Sequence, residues 1–132
     1  MYKYESRIGL GDTDAAGIMF FANAFTKIHE CYETFLAEND LPVAKILGSQ
    51  WALPIVRTES EFFQPLLLDQ KIEIQMSTEK VGETSYVLKY EIVNDKGDLC
   101  CRAYTLHVAV KQNTGKKMKL PDMLVEILRT LS

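Results

Sequence analysis

The spacing of apolar residues changes from a helical period to a strand period along this chain, and this change limits the possible folds. An apolar stripe with steps of three and four residues consists of Phe21, Phe25, Ile28, Tyr32 and Phe35. The charged residues of this segment lie mostly outside the stripe: Lys27, Glu30, Glu33 and Glu38. This spacing predicts an amphipathic helix of about five turns, from near Phe20 to near Asn39. Later segments alternate instead between apolar and polar residues, which is typical of half-buried strands. A sheet that covers the apolar stripe of one long helix is therefore expected.

Turn residues divide the rest of the chain into further elements. We expect strands at residues 2–8, 53–63, 71–76, 86–92 and 99–110, a short helical turn at 43–47 and a short helix that begins at Pro121. No internal repeat or linker-like segment interrupts this order. The sequence therefore predicts a single domain, residues 1–132, of the α+β class, in which the sheet wraps around the long helix.

Composition argues against several functional classes. The chain has 132 residues and a net charge of −3, whereas nucleic-acid-binding domains usually present a basic face. Its three cysteines include the adjacent Cys100 and Cys101, which do not indicate a disulfide framework. No apolar run approaches the roughly 18 residues of a membrane span, and the N-terminus lacks a signal-peptide pattern. We therefore expect a cytoplasmic protein with no nucleic-acid partner and no membrane span.

Residues 11–23, which read GDTDAAGIMFFAN, place two acids, Asp12 and Asp14, just before an apolar segment. The D-x-D-x-x-G pattern resembles the start of a calcium loop, but Ala16 and Asn23 occupy the fifth and twelfth positions, which should supply ligands. A calcium site is therefore not expected. Two interpretations remain: the acids shape a turn before the helix, or one of them takes part in catalysis.

The catalytic interpretation follows from the position of the acids ahead of the helix. The start of a helix carries unpaired N–H groups and a partial positive charge, which can hold the oxygen of a polarised carbonyl. A carboxylate beside Phe20 and Phe21 could attack that carbonyl or activate water on it. A thioester suits so simple a site because its leaving thiol, with a pKa of about 8.5 by analogy with cysteine, departs as thiolate with little help from an acid.

The stretch GDTDAAGIMFFANAFTKIHECYETFL resembles the signature of the 4-hydroxybenzoyl-CoA thioesterase family. The shared pattern is an Asp-x-Asp-x-x-Gly loop, an aromatic run, an asparagine and a helix with an acidic residue near Glu30. The similarity extends from about Tyr2 to Pro121 and implies the hot dog fold, a long central helix wrapped by a five-stranded antiparallel sheet. It also implies an acyl-CoA thioesterase that needs no metal or other cofactor and that forms a homodimer or homotetramer.

The resemblance also implies roles for individual residues in the loop and the helix. Asp14 matches the catalytic carboxylate of the family, whereas Asp12 matches a position that shapes the loop. The backbone N–H of Phe21 matches the oxyanion donor at the start of the central helix. Gly17 allows the close turn of the backbone that this arrangement needs.

Softer similarity points to a subgroup of the family. Three segments are most similar to proteins that act on 1,4-dihydroxy-2-naphthoyl-CoA in menaquinone or phylloquinone biosynthesis: HECYETFL, WALPIVRTESEFFQP and RAYTLHVAV. Ala22 stands where many family members have histidine, and this difference fits the subgroup. Trp51 and Pro54 match a stretch that lines the acyl pocket, usually across a dimer interface. Arginines that hold CoA phosphates in some relatives have no match here, so the basic segment from Lys111 to Lys119 is either a phosphate site or a solvated hairpin tip.

Other functions and sites remain as alternatives. One is a thioesterase for short- or medium-chain aliphatic acyl-CoA, and another is a module that binds an acyl ligand without catalysis. A dehydratase of the same fold is not expected, because the helix lacks a histidine beside an acid at the mouth of the site. His29 and His107 are interpreted as structural residues, since neither belongs to a metal-binding motif.

Overall fold

The structure, a computed structural model, describes residues 1–19 and 21–131. The elements in chain order are β1 (Tyr2–Arg7), a 3₁₀ turn (Leu10–Asp12), α1 (Asn23–Glu38), α2 (Val43–Leu47), β2 (Trp51–Ala52), β3 (Ile55–Phe62), β4 (Lys71–Val81), β5 (Ser85–Asn94), β6 (Leu99–Val108), β7 (Val110–Lys111) and α3 (Asp122–Arg129). Within the described part of the chain, no helix is long and apolar enough to cross a membrane.

Five strands form one antiparallel sheet in the order β1-β4-β5-β6-β3, so that β1 and β3 lie at its two edges. Strands β2 and β7 pair separately, with Trp51 opposite Lys111. The prediction of an α+β fold with a long helix and a five-stranded antiparallel sheet is confirmed.

Helix α1 packs against the inner face of the sheet and forms one side of the core. Its buried residues recur at helical spacing: Ala24, Lys27, Ile28, Cys31, Tyr32, Phe35 and Leu36. The other side comes from inward-facing residues of the central strands, among which Ile74, Met76, Leu88 and Ile92 are completely buried. Since burial of each such aliphatic side chain contributes about 1.5–3 kcal/mol, this contact fixes the helix on the sheet.

The prediction for α1 was right at its end and wrong at its beginning. The helix ends at Glu38, but it begins at Asn23, with Ala22 as the cap residue. Phe21 does not belong to the buried stripe, and 61% of its surface is exposed. The reason is that Phe21 lies in the turn before the helix, where its ring does not follow the helical phase of the stripe. Phe20, at which the predicted helix starts, lies outside the described residues.

Two predicted strands are interrupted in the structure. The strand expected at residues 53–63 begins at Ile55, because Pro54 has no N–H to donate to a ladder and the chain before it forms β2. The strand expected at residues 99–110 ends at Val108, and its continuation turns away to form β7. The side ribbon of β2 and β7 is therefore a feature that strand periodicity did not reveal.

The core also contains a polar cluster around His107, which is fully buried. Its ring stacks on Tyr86, with 4.6 Å between centroids, and its Nε2 lies 2.8 Å from the hydroxyl of Thr105. The hydroxyls of Tyr86 and Tyr32 are hydrogen-bonded at 2.6 Å. Burial, together with the nearby charge of His29, lowers the pKa of His107 from 6.5 to about 4, and the backbone of Leu53 offsets only part of this shift. His107 is therefore neutral in the folded protein near pH 7.

The free energy of unfolding should depend on pH through His107. Between pH 6.5 and pH 4 the unfolded chain binds a proton that the folded chain does not bind, so stability falls as the pH is lowered through this range. The full loss is about 3 kcal/mol, at about 1.4 kcal/mol for each unit of pKa difference. Denaturant unfolding of the wild type and of His107→Gln, at intervals from pH 4 to pH 7, measures the effect. The substitution should flatten the curve, and an equal pH dependence in the two proteins would contradict this assignment.

Candidate active site

The loop that carries Asp14 runs from Gly9 to Met19 and folds back on itself as a small hairpin. Thr13 and Met19 form an antiparallel bridge, and the amide of Asp14 donates to the carbonyl of Ile18 at 2.8 Å. The amide of Met19 in turn donates to the carbonyl of Leu66 at 2.7 Å. The sequence therefore forms a tethered turn here, in which backbone hydrogen bonds set the position of Asp14.

The carboxylate of Asp14 is oriented by amides of its own turn. Its Oδ1 accepts hydrogen bonds from the amides of Ala16, at 2.8 Å, and Ile18, at 3.3 Å. The residue is exposed in the single chain. Asp14 is therefore a solvent-facing carboxylate with a fixed orientation, not a buried acid.

Gly17 lies at the sharpest point of the turn. Its φ is +75°, in the left-handed region that residues with a Cβ adopt only with strain. A Cβ added at this position would meet no atom within 4 Å, so the conformation, not crowding, is what requires glycine. The carbonyl of Gly17 accepts a hydrogen bond from the amide of Leu68 at 3.0 Å, which attaches the tip of the loop to the segment before β4.

Asp12 joins the loop to helix α1. Its Oδ2 accepts a hydrogen bond from the amide of Gly9 at 2.8 Å and lies 3.4 Å from the ammonium of Lys27. Its backbone carbonyl accepts a hydrogen bond from the side chain of Asn23, at the start of α1, at 2.9 Å. This is the loop-shaping role that the family resemblance implied for Asp12.

Phe21 lies beside an apolar groove between the loop and the end of β3. The groove has a volume of about 430 Å³ and is lined by Ile18, Met19, Phe21, Phe62, Phe63, Gln64, Pro65 and Leu66. The carbonyls of Phe21 and Ala22 accept hydrogen bonds from the amides of Ala24 and Phe25 in a tight first turn of the helix. The structure thus brings the Asp14 loop and the start of α1 together at one end of the sheet.

Trp51 and Pro54 lie elsewhere on the single chain. Trp51 is half-buried in the side ribbon and lines a separate groove of about 500 Å³ with Lys111, Gln112 and Met118. Pro54 is exposed, and its carbonyl accepts a hydrogen bond from the amide of Val108 at 3.1 Å. Neither residue lines the groove beside Phe21.

A further cavity, separate from the two grooves and not predicted from the sequence, lies between α1 and the sheet. It has a volume of about 100 Å³ and is lined by Phe25, Ile28, His29, Ile55, Thr58, Tyr90 and Thr105. Strand alternation identifies Tyr90 as inward-facing, but no pattern in the sequence signals a gap between that strand and the helix. The cavity combines aromatic walls with hydroxyl and imidazole groups, which suits a polar aromatic group.

Other nucleophiles and metal ligands do not form a site in the described part of the chain. Cys31, Cys100 and Cys101 are all buried and unpaired by disulfides. Burial raises the pKa of Cys31 to about 12 and that of Cys101 to about 11, so neither thiol ionises readily at neutral pH. No cluster of three or more metal-ligating side chains is found among residues 1–19 and 21–131.

A family model, the thioesterase-like superfamily, matches residues 8–128. The chain belongs to this superfamily. The match covers the Asp14 loop, α1 and every strand of the main sheet except β1, and the hot dog fold implied by the sequence resemblance is confirmed. The prediction of a thioester hydrolase is confirmed at the level of the family.

Individual proteins similar to this thioesterase carry more specific names. The 1,4-dihydroxy-2-naphthoyl-CoA hydrolase of Gloeothece citriformis is 33% identical over an alignment that covers 100% of this chain and 94% of the relative. The crystal structure of a 1,4-dihydroxy-2-naphthoyl-CoA thioesterase from Synechocystis is 28% identical, with a TM-score of 0.93 and coverage of 98% and 96%. A gentisyl-coenzyme A thioesterase is 25% identical, with a TM-score of 0.85 and coverage of 96% and 98%.

Replacement of Gly17 should destabilise this thioesterase through backbone strain. Gly17→Ala should lower the free energy of unfolding by about 1 kcal/mol, because alanine must adopt a left-handed conformation there. Gly17→Asn should lose less, since asparagine tolerates this conformation. Denaturant unfolding measures both changes.

Gly11→Ala in the same loop is the matched control for Gly17→Ala. Gly11 does not have a positive φ, and a Cβ there would meet no atom within 4 Å. Its replacement should change stability by less than about 0.5 kcal/mol. Equal losses for the two alanine variants would show that left-handed strain is not the cause.

Proposed function

We propose that this thioesterase hydrolyses an aromatic acyl-CoA thioester, 1,4-dihydroxy-2-naphthoyl-CoA, with Asp14 as the catalytic carboxylate. The observation that carries the proposal is the junction between the Asp14 loop and the start of α1. The hydrogen bond from Asn23 to the carbonyl of Asp12 connects the two parts directly. A carboxylate and the positive end of a helix dipole, held at a fixed separation, are what hydrolysis of a thioester requires.

In the proposed reaction the thioester carbonyl oxygen is held by backbone N–H groups at the start of α1, with Phe21 as the donor that the family resemblance implies. Gly17 holds the loop in the turn that presents Asp14. Acting as a nucleophile, Asp14 would bond to the carbonyl carbon while the CoA thiolate leaves, and water would then hydrolyse the anhydride. Acting as a general base, Asp14 would take a proton from the attacking water and release it to the thiolate.

The chemistry of the cavity beneath α1 supports a hydroxylated aromatic acyl group. The hydroxyls of Thr58 and Thr105 and the imidazole of His29 stand among aromatic and aliphatic walls. The hydroxyl of Thr105 already pairs with His107, but the hydroxyl of Thr58 and the imidazole of His29 belong to exposed residues and could form hydrogen bonds with ring hydroxyls, which an alkyl chain lacks. The names of the similar proteins agree with this chemistry, because dihydroxynaphthoyl and gentisyl groups are both hydroxylated aromatic acids.

The size of this cavity supports a site that a second copy of the chain completes. A single chain encloses about 100 Å³ beneath α1, whereas ligand pockets usually measure about 300–1,000 Å³. The neighbouring strand β3 is an edge strand on which Val56 is 58% exposed, and Phe62 and Phe63 at its end are 44% and 46% exposed. A long edge strand with exposed apolar side chains at both ends favours pairing with another strand. We therefore propose a homodimer, or a homotetramer built from it, with Trp51 and Pro54 contributed to the site of the partner.

Replacement of the proposed catalytic carboxylate tests the function. Asp14→Asn should lower kcat for 1,4-dihydroxy-2-naphthoyl-CoA by at least about 100-fold, because the amide neither attacks the carbonyl nor accepts a proton. Unfolding should be little changed, since the amide oxygen can still accept the hydrogen bonds of Ala16 and Ile18. Thiol release, followed with a colorimetric thiol reagent, measures the rate. Asp95→Asn, at an exposed turn, is the matched control and should retain wild-type turnover.

The same assay separates the alternatives when it is run on a panel of thioesters. A kcat/KM that is highest for the hydroxylated aromatic substrate supports the proposal, and a preference for short or medium alkyl chains supports an aliphatic thioesterase. Saturable binding of the CoA esters with no thiol release would indicate a binding module. Incorporation of solvent ¹⁸O into Asp14 after one turnover would identify it as the nucleophile, since only the anhydride route transfers that oxygen.

Disruption of the β3 edge tests the proposed assembly. Val56→Lys places a charge on the exposed edge and should convert the assembly to monomers, with loss of most thioesterase activity. Val43→Lys, on the exposed side of α2, is the control and should change neither property. Sedimentation velocity gives the mass of each protein in solution. A wild-type protein that is monomeric and fully active would exclude a site shared between copies.

A further inference from the structure

We propose that Lys27 is a positioning residue, which sets the place of Asp14 relative to the start of α1 by holding Asp12. The inference rests on the proposed function, because it assigns Lys27 a part in a reaction at Asp14. Lys27 touches no reacting atom in this assignment. It acts through the loop, whose geometry decides whether the carboxylate reaches the carbonyl carbon.

Lys27 is an unusual feature of α1, because its ammonium lies in the seam between the helix, β1 and the loop. The sequence pattern placed Lys27 outside the apolar stripe, yet only 11% of its side chain is exposed. The ammonium lies 3.4 Å from Oδ2 of Asp12 and 3.3 Å from the hydroxyl of Ser6, and Glu30 is more distant at 3.9 Å. A lysine charge is buried at a cost unless it is paired, and here Asp12 is the closer of its two carboxylate neighbours.

Lys27 and Asn23 hold Asp12 at two points. They are four residues apart on α1 and therefore lie on the same side of the helix, one turn from each other. Asn23 binds the backbone carbonyl of Asp12, and Lys27 binds its carboxylate. Two contacts from one rigid helix fix both the position and the orientation of Asp12. Asp14 follows only two residues later, so the same contacts limit where its carboxylate can lie.

The carboxylate of Asp12 also orders the loop internally. The oxygen that faces Lys27 accepts a hydrogen bond from the amide of Gly9, which closes the 3₁₀ turn ahead of Asp14. Loss of the Lys27 charge would leave this oxygen with the Gly9 amide alone among the polar contacts described here. Asn23 would then be the remaining contact of Asp12 with α1. The backbone hydrogen bonds to Leu66 and Leu68 hold only the far arm of the loop, so a shift of the arm that carries Asp12 would displace Asp14 relative to the start of α1.

Substitutions at both ends of the ion pair test this inference. Lys27→Met keeps an unbranched apolar stem, one atom shorter than lysine, without the charge, and Asp12→Asn keeps an acceptor for Gly9 without the charge. Each should lower kcat by about 10- to 100-fold with KM changed less than about threefold, because small displacements of a reacting group reduce the rate more than the binding. Lys27→Arg should recover most of the turnover. Hydrogen–deuterium exchange of the peptide that spans residues 9–19 should become faster in Lys27→Met and remain slow in Lys27→Arg.

Lys45→Met is the matched control, since Lys45 lies on α2 and its ammonium donates to the carbonyl of Asp40 in the exposed segment between α1 and α2. It should leave kcat and exchange in the loop unchanged. Wild-type kcat in both Lys27→Met and Asp12→Asn would overturn the inference, even if both variants unfold at a lower temperature. If Lys27→Met does not fold, Asp12→Asn decides by the same criterion. An inactive Asp14→Asn with fully active Lys27→Met and Asp12→Asn would refute only the role of Lys27, whereas an active Asp14→Asn would refute the proposed function.

Discussion

The packing of α1 on the inner face of the sheet is the contact on which the rest of this structure depends. The stripe that includes Ile28, Tyr32 and Phe35 is buried against strands whose inward side chains, such as Leu88, have no access to water. This contact fixes the axis of the helix. Since the helix cannot shift along the sheet without exposing these side chains, its first turn always lies at the same end of the sheet, beside the loop that carries Asp14.

The candidate site is built from backbone geometry at that end of the molecule. Turn amides orient the carboxylate of Asp14, a left-handed glycine at position 17 allows the loop to fold back, and Asp12 connects the loop to Asn23 and Lys27. In the proposed reaction an exposed carboxylate would suffice, because the helix dipole would polarise the carbonyl and the thiolate would leave with little help from an acid. In one chain Asp14 is open to solvent.

Much of this arrangement could be predicted from the sequence because its physical causes are local. The helical spacing of Phe25, Ile28 and Tyr32 and the alternation in β4 and β5 depend on neighbouring residues. Both strands contain the residues that the pattern assigned to them, and α1 does so from Asn23 onward. Phe21 was misassigned because the apolar spacing continues into the turn before the helix, where side-chain directions no longer follow the helical period. The spacing placed Lys27 mostly outside the apolar stripe, and its burial beside Asp12 became visible only in the structure.

The sequence by itself determined the α+β class, the long helix and the loop motif, because the spacing of apolar residues and the positions of turn-forming residues are visible within short segments of the chain. Tertiary structure alone decided the separation of the β2 and β7 ribbon from the main sheet, the cavity beneath α1 and the contacts of Asp12 with Gly9, Asn23 and Lys27. These features join residues that are distant in sequence or on different elements. Their energies depend on distances and burial that exist only after the helix has packed on the sheet.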